Sequence, residues 1–181
     1  FAEHSFFLFA MNVLVLAPNL LQLYIGWELV GLASYLLIGF WFEKPSANQA
    51  AMKAFMVTRV GDVLLLLGIV LLYSQTGRLD FENLLNPATL TSLTSTPSVV
   101  NGLSVAGLAG LFIFAGTVGK SAQFPLHVWL PNAMEGPTPV SAMIHAATMV
   151  SAGVYLSIRM FPLLSAGATP LPVMALIGGF S

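Results

Sequence analysis

The sequence contains no cysteine in its 181 residues, which excludes disulfides, thiolate metal sites and iron–sulfur clusters. It is also nearly empty of charge. Charged residues make up 7% of the chain, whereas a soluble domain carries about 25%. The formal net charge of −1 leaves no basic field for nucleic acid and no acidic tail for a charged partner. The three histidines, His4, His127 and His145, have no spacing that suits haem or a metal ion, so no cofactor and no metal is expected. No asparagine begins a glycosylation acceptor, and no block of 20 to 50 residues repeats. No methionine or basic signal-peptide segment precedes Phe1, and Ser181 falls inside an apolar run that has only begun. These ends predict a fragment of a longer polytopic protein. What remains is 57% hydrophobic, with a mean hydropathy of +0.87. The composition predicts an all-α, multi-pass integral membrane protein and excludes a soluble enzyme or nucleic-acid binder.

Apolar runs separated by turn residues predict the spans. Residues 1–17 read as the latter part of one span, with a turn at Pro18, Asn19 and Gln22, and residues 20–42 as the next. Residues 42–49 are a polar turn with Pro45 as its stop signal, and residues 50–73 form a third span. Residues 74–101 are a Ser/Thr/Pro-rich surface connector with room for a short helix from Asp80 to Leu85. Residues 102–121 span again, followed by an amphipathic half-helix over 124–134. Thr138 and Pro139 open a span over 139–160, and residues 170–181 begin another. Basic residues fall on both sides of these spans, so orientation is not determined.

The few charges inside the spans are the candidates for function, because a charged side chain at membrane depth is costly and faces protein or water. Glu28 lies roughly 12 Å into its span. It is either a first-turn residue near headgroups or a titrating carboxylate facing the bundle. Arg59 and Asp62 stand three residues apart, share a helix face and can neutralise one another, as a structural ion pair or as part of an internal polar axis. Lys120 ends the apolar run, and Pro125 removes a backbone donor one turn later, so Gly119 and Pro125 mark a broken helix. Irregular backbone at that depth survives only inside protein or beside water, which draws Lys120 inward; the alternative is a lysine that snorkels to the headgroups. Gly119-Lys120-Ser121 imitates a phosphate-binding loop, but Phe114 stands where that loop requires glycine. His145 titrates near neutral pH and can relay a proton, or it is only a hydrogen-bonded core histidine. His127, beside Trp129 at an expected membrane interface, is a weaker relay candidate.

The strings GWELVGLASYLLIGF, KAFMVTRVGD, GKSAQFPLHVWLPNAMEGPTP and VSAMIHAATMVSAGVY resemble the antiporter-like L-type subunit (chain 5) of proton-pumping respiratory complex I, the NADH:quinone oxidoreductase. The likeness covers nearly the whole chain. It implies an antiporter-like helix bundle containing one discontinuous transmembrane helix, comprising the fourth to eighth helices and the start of the ninth. It assigns Glu28 to the carboxylate of the fifth helix and Arg59 and Asp62 to the sixth-helix pair. Lys120 corresponds to the central lysine of the broken seventh helix and His145 to the eighth-helix histidine. Asn132 stands where many relatives have aspartate. The implied function is proton translocation through a half-channel of buried Glu, Lys and His, coupled to quinone reduction elsewhere in the complex. The implied partners are lipid and other membrane subunits, with no NADH bound directly and no redox centre in this chain. Multi-subunit sodium/proton antiporters share the fold and give the alternative function, although Glu28 and Asp62 are the only carboxylates the spans offer a hard cation. A passive scaffold, with charges serving assembly, is the other alternative.

Overall fold

The structure, a computed structural model, describes residues 1–142 and 148–181. Among these the secondary structure is helical, with two isolated β-bridges and no strand. Helices α1 (Ala2–Val15), α2 (Leu20–Ile38) and α3 (Pro45–Thr76) follow one another through short turns. The Asn19 side chain accepts from the Gln22 backbone N–H at 2.8 Å and so caps α2. Leu20–Ile38 and Pro45–Thr76 are both long and apolar enough to cross a membrane.

Pro45 opens α3 instead of stopping a turn. It occupies the first helical position, where its missing N–H costs nothing. The helix therefore begins five residues earlier than its hydropathy suggests and runs for 32 residues, roughly 48 Å. Gly77, with φ of 66°, ends it in the left-handed conformation that glycine tolerates.

The connector is more regular than its Ser/Thr-rich composition predicts. Asp80 caps α4 (Phe81–Leu84), and Asn86 caps α5 (Pro87–Ser95) with Pro87 in the first turn. The hydroxyls of Thr91 and Thr94 bond to the carbonyls of Pro87 and Leu90 within the helix, while Leu93 is buried. Bridges between Asn19 and Asp80 and between Pro97 and Ser104 fasten the connector at both ends.

α6 (Val105–Lys120) packs along α3 through glycines. A Cβ on Gly61 would lie 2.8 Å from the Ala115 carbonyl and 3.1 Å from Gly119 Cα, so the backbones touch. Beyond α6, residues 124–134 form a succession of turns ending in a 3₁₀ turn over Asn132–Glu135, where an amphipathic half-helix is expected. Pro125 and Pro131 cannot donate within a helix, which accounts for the irregular backbone. α7 (Thr138–Ala142), α8 (Met149–Arg159), α9 (Phe161–Ala166) and α10 (Pro170–Phe180) complete the chain. The core runs through α1, α2, α3, α6 and α8 and contains Phe7, Trp27, Leu65, Ile113 and Leu156.

Candidate functional site

Four charged side chains from three helices meet at the centre of this packing. α2 supplies Glu28, α3 supplies Arg59 and Asp62, and α6 supplies Lys120 as its last residue. The Arg59 guanidinium is ion-paired with the Glu28 carboxylate. Lys120 Nζ stands 3.3 Å from Asp62 Oδ2, and Arg59 Nε reaches the same oxygen at 4.0 Å. The Arg59–Asp62 pair expected from their spacing is thus the longest of the three contacts, and the close pairs are Glu28–Arg59 and Asp62–Lys120. The reason is local: the Gly61–Gly119 contact brings α3 and α6 so close that Asp62, next to Gly61, faces Lys120, next to Gly119. The two positive and two negative groups balance.

The pairs differ in burial. Asp62 and Lys120 side chains are each 1% exposed, whereas Arg59 is 29% and Glu28 23% exposed. One pair is sealed and the other borders the surface of the bundle. Glu28 is therefore not a first-turn residue at a helix end, nor does Lys120 snorkel outward, since its whole residue is 0% exposed. Among the described residues the sealed carboxylate has one aligned donor, the Trp27 indole N–H, at 2.7 Å from Oδ1. Lys120 Nζ lies 5.9 Å from the centre of the same indole ring. Arg59 rests on the Phe55 ring at 4.3 Å, and Phe55 packs edge-on against Tyr35. Arg59 Nε, Asp62 Oδ2 and Lys120 Nζ are buried without an aligned hydrogen bond among the described residues, where they are held by charge.

Gly119 and Pro125 play different parts from those expected. Gly119 lies inside α6, where it is a close-packing residue rather than the break, and its carbonyl accepts the Trp129 indole N–H at 3.1 Å. Regular helix ends at Lys120, with Ser121 as cap and Ala122 at φ of 49°, before Pro125 is reached. Trp129 is fully buried instead of marking a membrane interface, because the turns after α6 fold back beneath its end. Ser121 and Thr117 tie α6 to α8 by donating to the carbonyls of Val150 at 2.7 Å and Gly153 at 3.1 Å. His127 is exposed and stacked on Phe124 beside a cleft of about 320 Å³. His145 lies outside the described residues.

Trp27 and Gly31 belong to the site but did not stand out in the sequence. Each had a usable signal. Trp27 and Gly31 are four residues apart and flank Glu28, so they share the helix face directed at α3 and α6. No group of three or more His, Cys, Asp or Glu suited to a metal occurs among the described residues.

The chain is similar in sequence and fold to known proteins. Residues 17–181 match the transmembrane family described as NADH:quinone oxidoreductase/Mrp antiporter. Subunit L of the F(420)H(2) dehydrogenase of Methanosarcina mazei is 52% identical over all of this chain and 29% of its own length. The chloroplastic NAD(P)H-quinone oxidoreductase subunit 5 of Marchantia polymorpha is 57% identical over 90% of this chain and 23% of its own. Chain 5 of the Synechocystis NAD(P)H-quinone oxidoreductase is 53% identical over 96% and 24%. The chain thus spans about a quarter of the length of these relatives. Among solved structures, one chain of the Mrp complex from Dietzia sp. DQ12-45-1b superposes with a TM-score of 0.79 at 33% identity, over 91% of this chain and 17% of that one. A chain of an archaeal membrane-bound sulfane sulfur reductase superposes with a TM-score of 0.81 at 22% identity, over 96% and 34%, and shows the shared fold.

Proposed function

Since the chain belongs to the NADH:quinone oxidoreductase/Mrp antiporter transmembrane family, we propose that it forms part of the proton-translocating membrane subunit of an NADH:quinone oxidoreductase. The observation that carries this reading is the neutral four-charge site with one sealed pair, Asp62–Lys120, and one accessible pair, Glu28–Arg59. A proton reaches the surface-facing pair from water and is passed inward to Lys120. Lys120 is the carrier. When its carboxylate partner moves, the proton affinity of a fixed ammonium changes, and each pKa unit corresponds to about 1.36 kcal/mol. Arg59 makes that movement possible because its guanidinium touches Glu28 and also reaches towards Asp62, so it can exchange partners. In the observed arrangement Glu28 is held by Arg59 and Lys120 by Asp62; Lys120 discharges onward when the Asp62 contact opens, with His145 as the next relay. His127, exposed at the turn, is a secondary relay.

On this reading the chain holds no redox centre and binds no NADH; oxidation of NADH and reduction of quinone occur on other subunits. Its partners are lipid and the neighbouring membrane subunits. The likeness to the Dietzia Mrp complex favours one second reading, a subunit of a sodium/proton antiporter. Sodium needs several oxygen ligands, whereas the sealed site presents the two oxygens of Asp62, one of them taken by Trp27.

The test is proton pumping per electron in the reconstituted complex containing the full-length chain with Lys120→Ala, with assembly checked on the same membranes. Lost pumping in an assembled complex is expected. Normal pumping would overturn the carrier role and leave the charges an assembly function. Pumping that follows external sodium would favour the antiporter.

A further inference from the structure

Gly31 lies where the charged groups of the site converge. A Cβ built on it would stand 2.6 Å from Lys120 Nζ, 3.8 Å from Arg59 Nη2 and 4.0 Å from Asp62 Oδ2. The ammonium therefore occupies the space that any other residue's side chain would fill. Gly31 is buried in the middle of α2, and its carbonyl accepts the Ser34 hydroxyl at 2.8 Å. Its backbone needs no glycine: it is ordinary helix, in which alanine is the better former. Nothing in local conformation calls for a missing side chain. The neighbouring charge does.

We propose that Gly31 is a positioning residue for Lys120: the absence of a side chain at this point of α2 is the seat that holds the ammonium against Asp62. The claim rests on the reading of Lys120 as the proton carrier, but its geometry can be tested separately. A contact of 2.6 Å with the far end of a flexible side chain is relieved by moving that end, not by separating helices. Gly31→Ala therefore leaves α2 intact and displaces Nζ from its place between Asp62 and Arg59. Among the described residues, the groups facing Nζ are Asp62 and Arg59 on α3 and the Trp27 ring on α2. Displacement lengthens the 3.3 Å contact with Asp62 while Arg59 remains on Glu28. Moving the ammonium away from the carboxylate weakens the attraction that holds it in the site.

The experiment uses the full-length chain in its assembled membrane complex and four versions of it: unaltered, Gly31→Ala, Lys120→Met and the double variant. Methionine ends one atom short of the ammonium and so empties the seat. Thermal stability of the assembled complex and proton pumping per electron across pH are measured for each. Gly31→Ala in the unaltered background is expected to lower the melting temperature, reduce pumping at neutral pH at least threefold and displace its pH profile. In the Lys120→Met background the stability effect of Gly31→Ala should vanish, because nothing remains for the new methyl group to displace. An equal loss of stability in both backgrounds would overturn the proposal, since glycine would then serve packing alone. A coupled stability effect accompanied by normal pumping in both single variants would uphold the seat and refute the carrier reading.

Discussion

The contact between Gly61 and Gly119 fixes the separation of α3 and α6, so a methyl group at Gly61 should disturb both fold and site. Unlike the seat at Gly31, the obstacle here is backbone: the added Cβ meets the Ala115 carbonyl at 2.8 Å and Gly119 Cα at 3.1 Å. Neither atom belongs to a side chain that can swing away. Restoring an ordinary contact of about 3.4 Å requires the helices to part by roughly 0.6 Å. Overpacking of this kind costs about 1–3 kcal/mol. If the same displacement reaches the ion pair, the distance from Lys120 to Asp62 grows from 3.3 Å to about 3.9 Å. At an effective dielectric of about 20 the attraction then falls by about 0.8 kcal/mol, roughly fourfold in an equilibrium constant. Thermal melting of the assembled complex and pumping per electron measure the two effects. Gly61→Ala should lower both. Gly119→Ala, whose Cβ would meet Gly61 Cα and the Thr58 carbonyl at 3.3 Å, should do so less. Unchanged melting for Gly61→Ala, or a larger effect at Gly119, would refute the argument that this backbone contact sets the spacing.

Trp27→Phe keeps a ring but removes the only aligned donor to Asp62 among the described residues; loss of a hydrogen bond to a buried charged acceptor costs about 1.5–3 kcal/mol. Combined with Asp62→Asn in a double-mutant cycle of melting temperature, most of that cost should disappear, and simple additivity would count against the bond. The Asn83 side chain donates to Asp80 and holds its carboxyl below the ordinary value. The cap on α4 is therefore fully present above the unfolded carboxyl value of about 3.9 and is lost only as pH falls through the lower folded value. A titration of the Asp80 carboxyl by NMR should show the depressed midpoint, and Asn83→Ala should raise it. Asn132 accepts from Lys53 at 2.7 Å on the exposed edge. Asn132→Asp turns this contact into a surface ion pair, so melting should gain at most about 1 kcal/mol and pumping should not change.

The membrane character, the helical class and the four charges were legible because the chain is so poor in charge that each exception inside an apolar run is conspicuous. Their partners were not. Periodicity places Arg59 and Asp62 on one helix face, but whether Lys120 meets Glu28 or Asp62 depends on how closely α3 and α6 approach. That distance is set by Gly61 and Gly119, residues without a side chain to announce a role. Trp27 and Gly31 were hidden in the same way, an aromatic and a glycine inside an apolar run that reads equally well as plain span. The Ser/Thr-rich connector misled in the opposite direction: hydroxyls that favour turns in isolation bond back to carbonyls once Asn86 and Pro87 have started a helix. Pro45 shows that a proline stops one element and starts the next with equal ease.

The charge balance bears on how such a site can have two states. A buried ion is costly to leave unpaired, so a site with one carboxylate and one ammonium could release a proton only by stranding the other charge. Here a second pair lies alongside, and Arg59 already reaches towards Asp62 while bound to Glu28. Exchange from Glu28–Arg59 and Asp62–Lys120 to Arg59–Asp62 and Glu28–Lys120 keeps two pairs throughout and moves no net charge between protein and water. The large desolvation terms nearly cancel between the two arrangements, leaving a difference set by geometry and a few hydrogen bonds. Trp27 donates to Asp62 and not to Glu28, which biases the exchange towards moving Glu28 while Asp62 stays in place. On the proposed reading, that bias leaves Glu28 and Lys120, rather than Asp62, as the groups that exchange a proton. Trp27→Phe should therefore blur the distinction, and the loss of pumping caused by Asp62→Asn should become smaller in its background. An unchanged effect of Asp62→Asn would show that the indole does not set the bias.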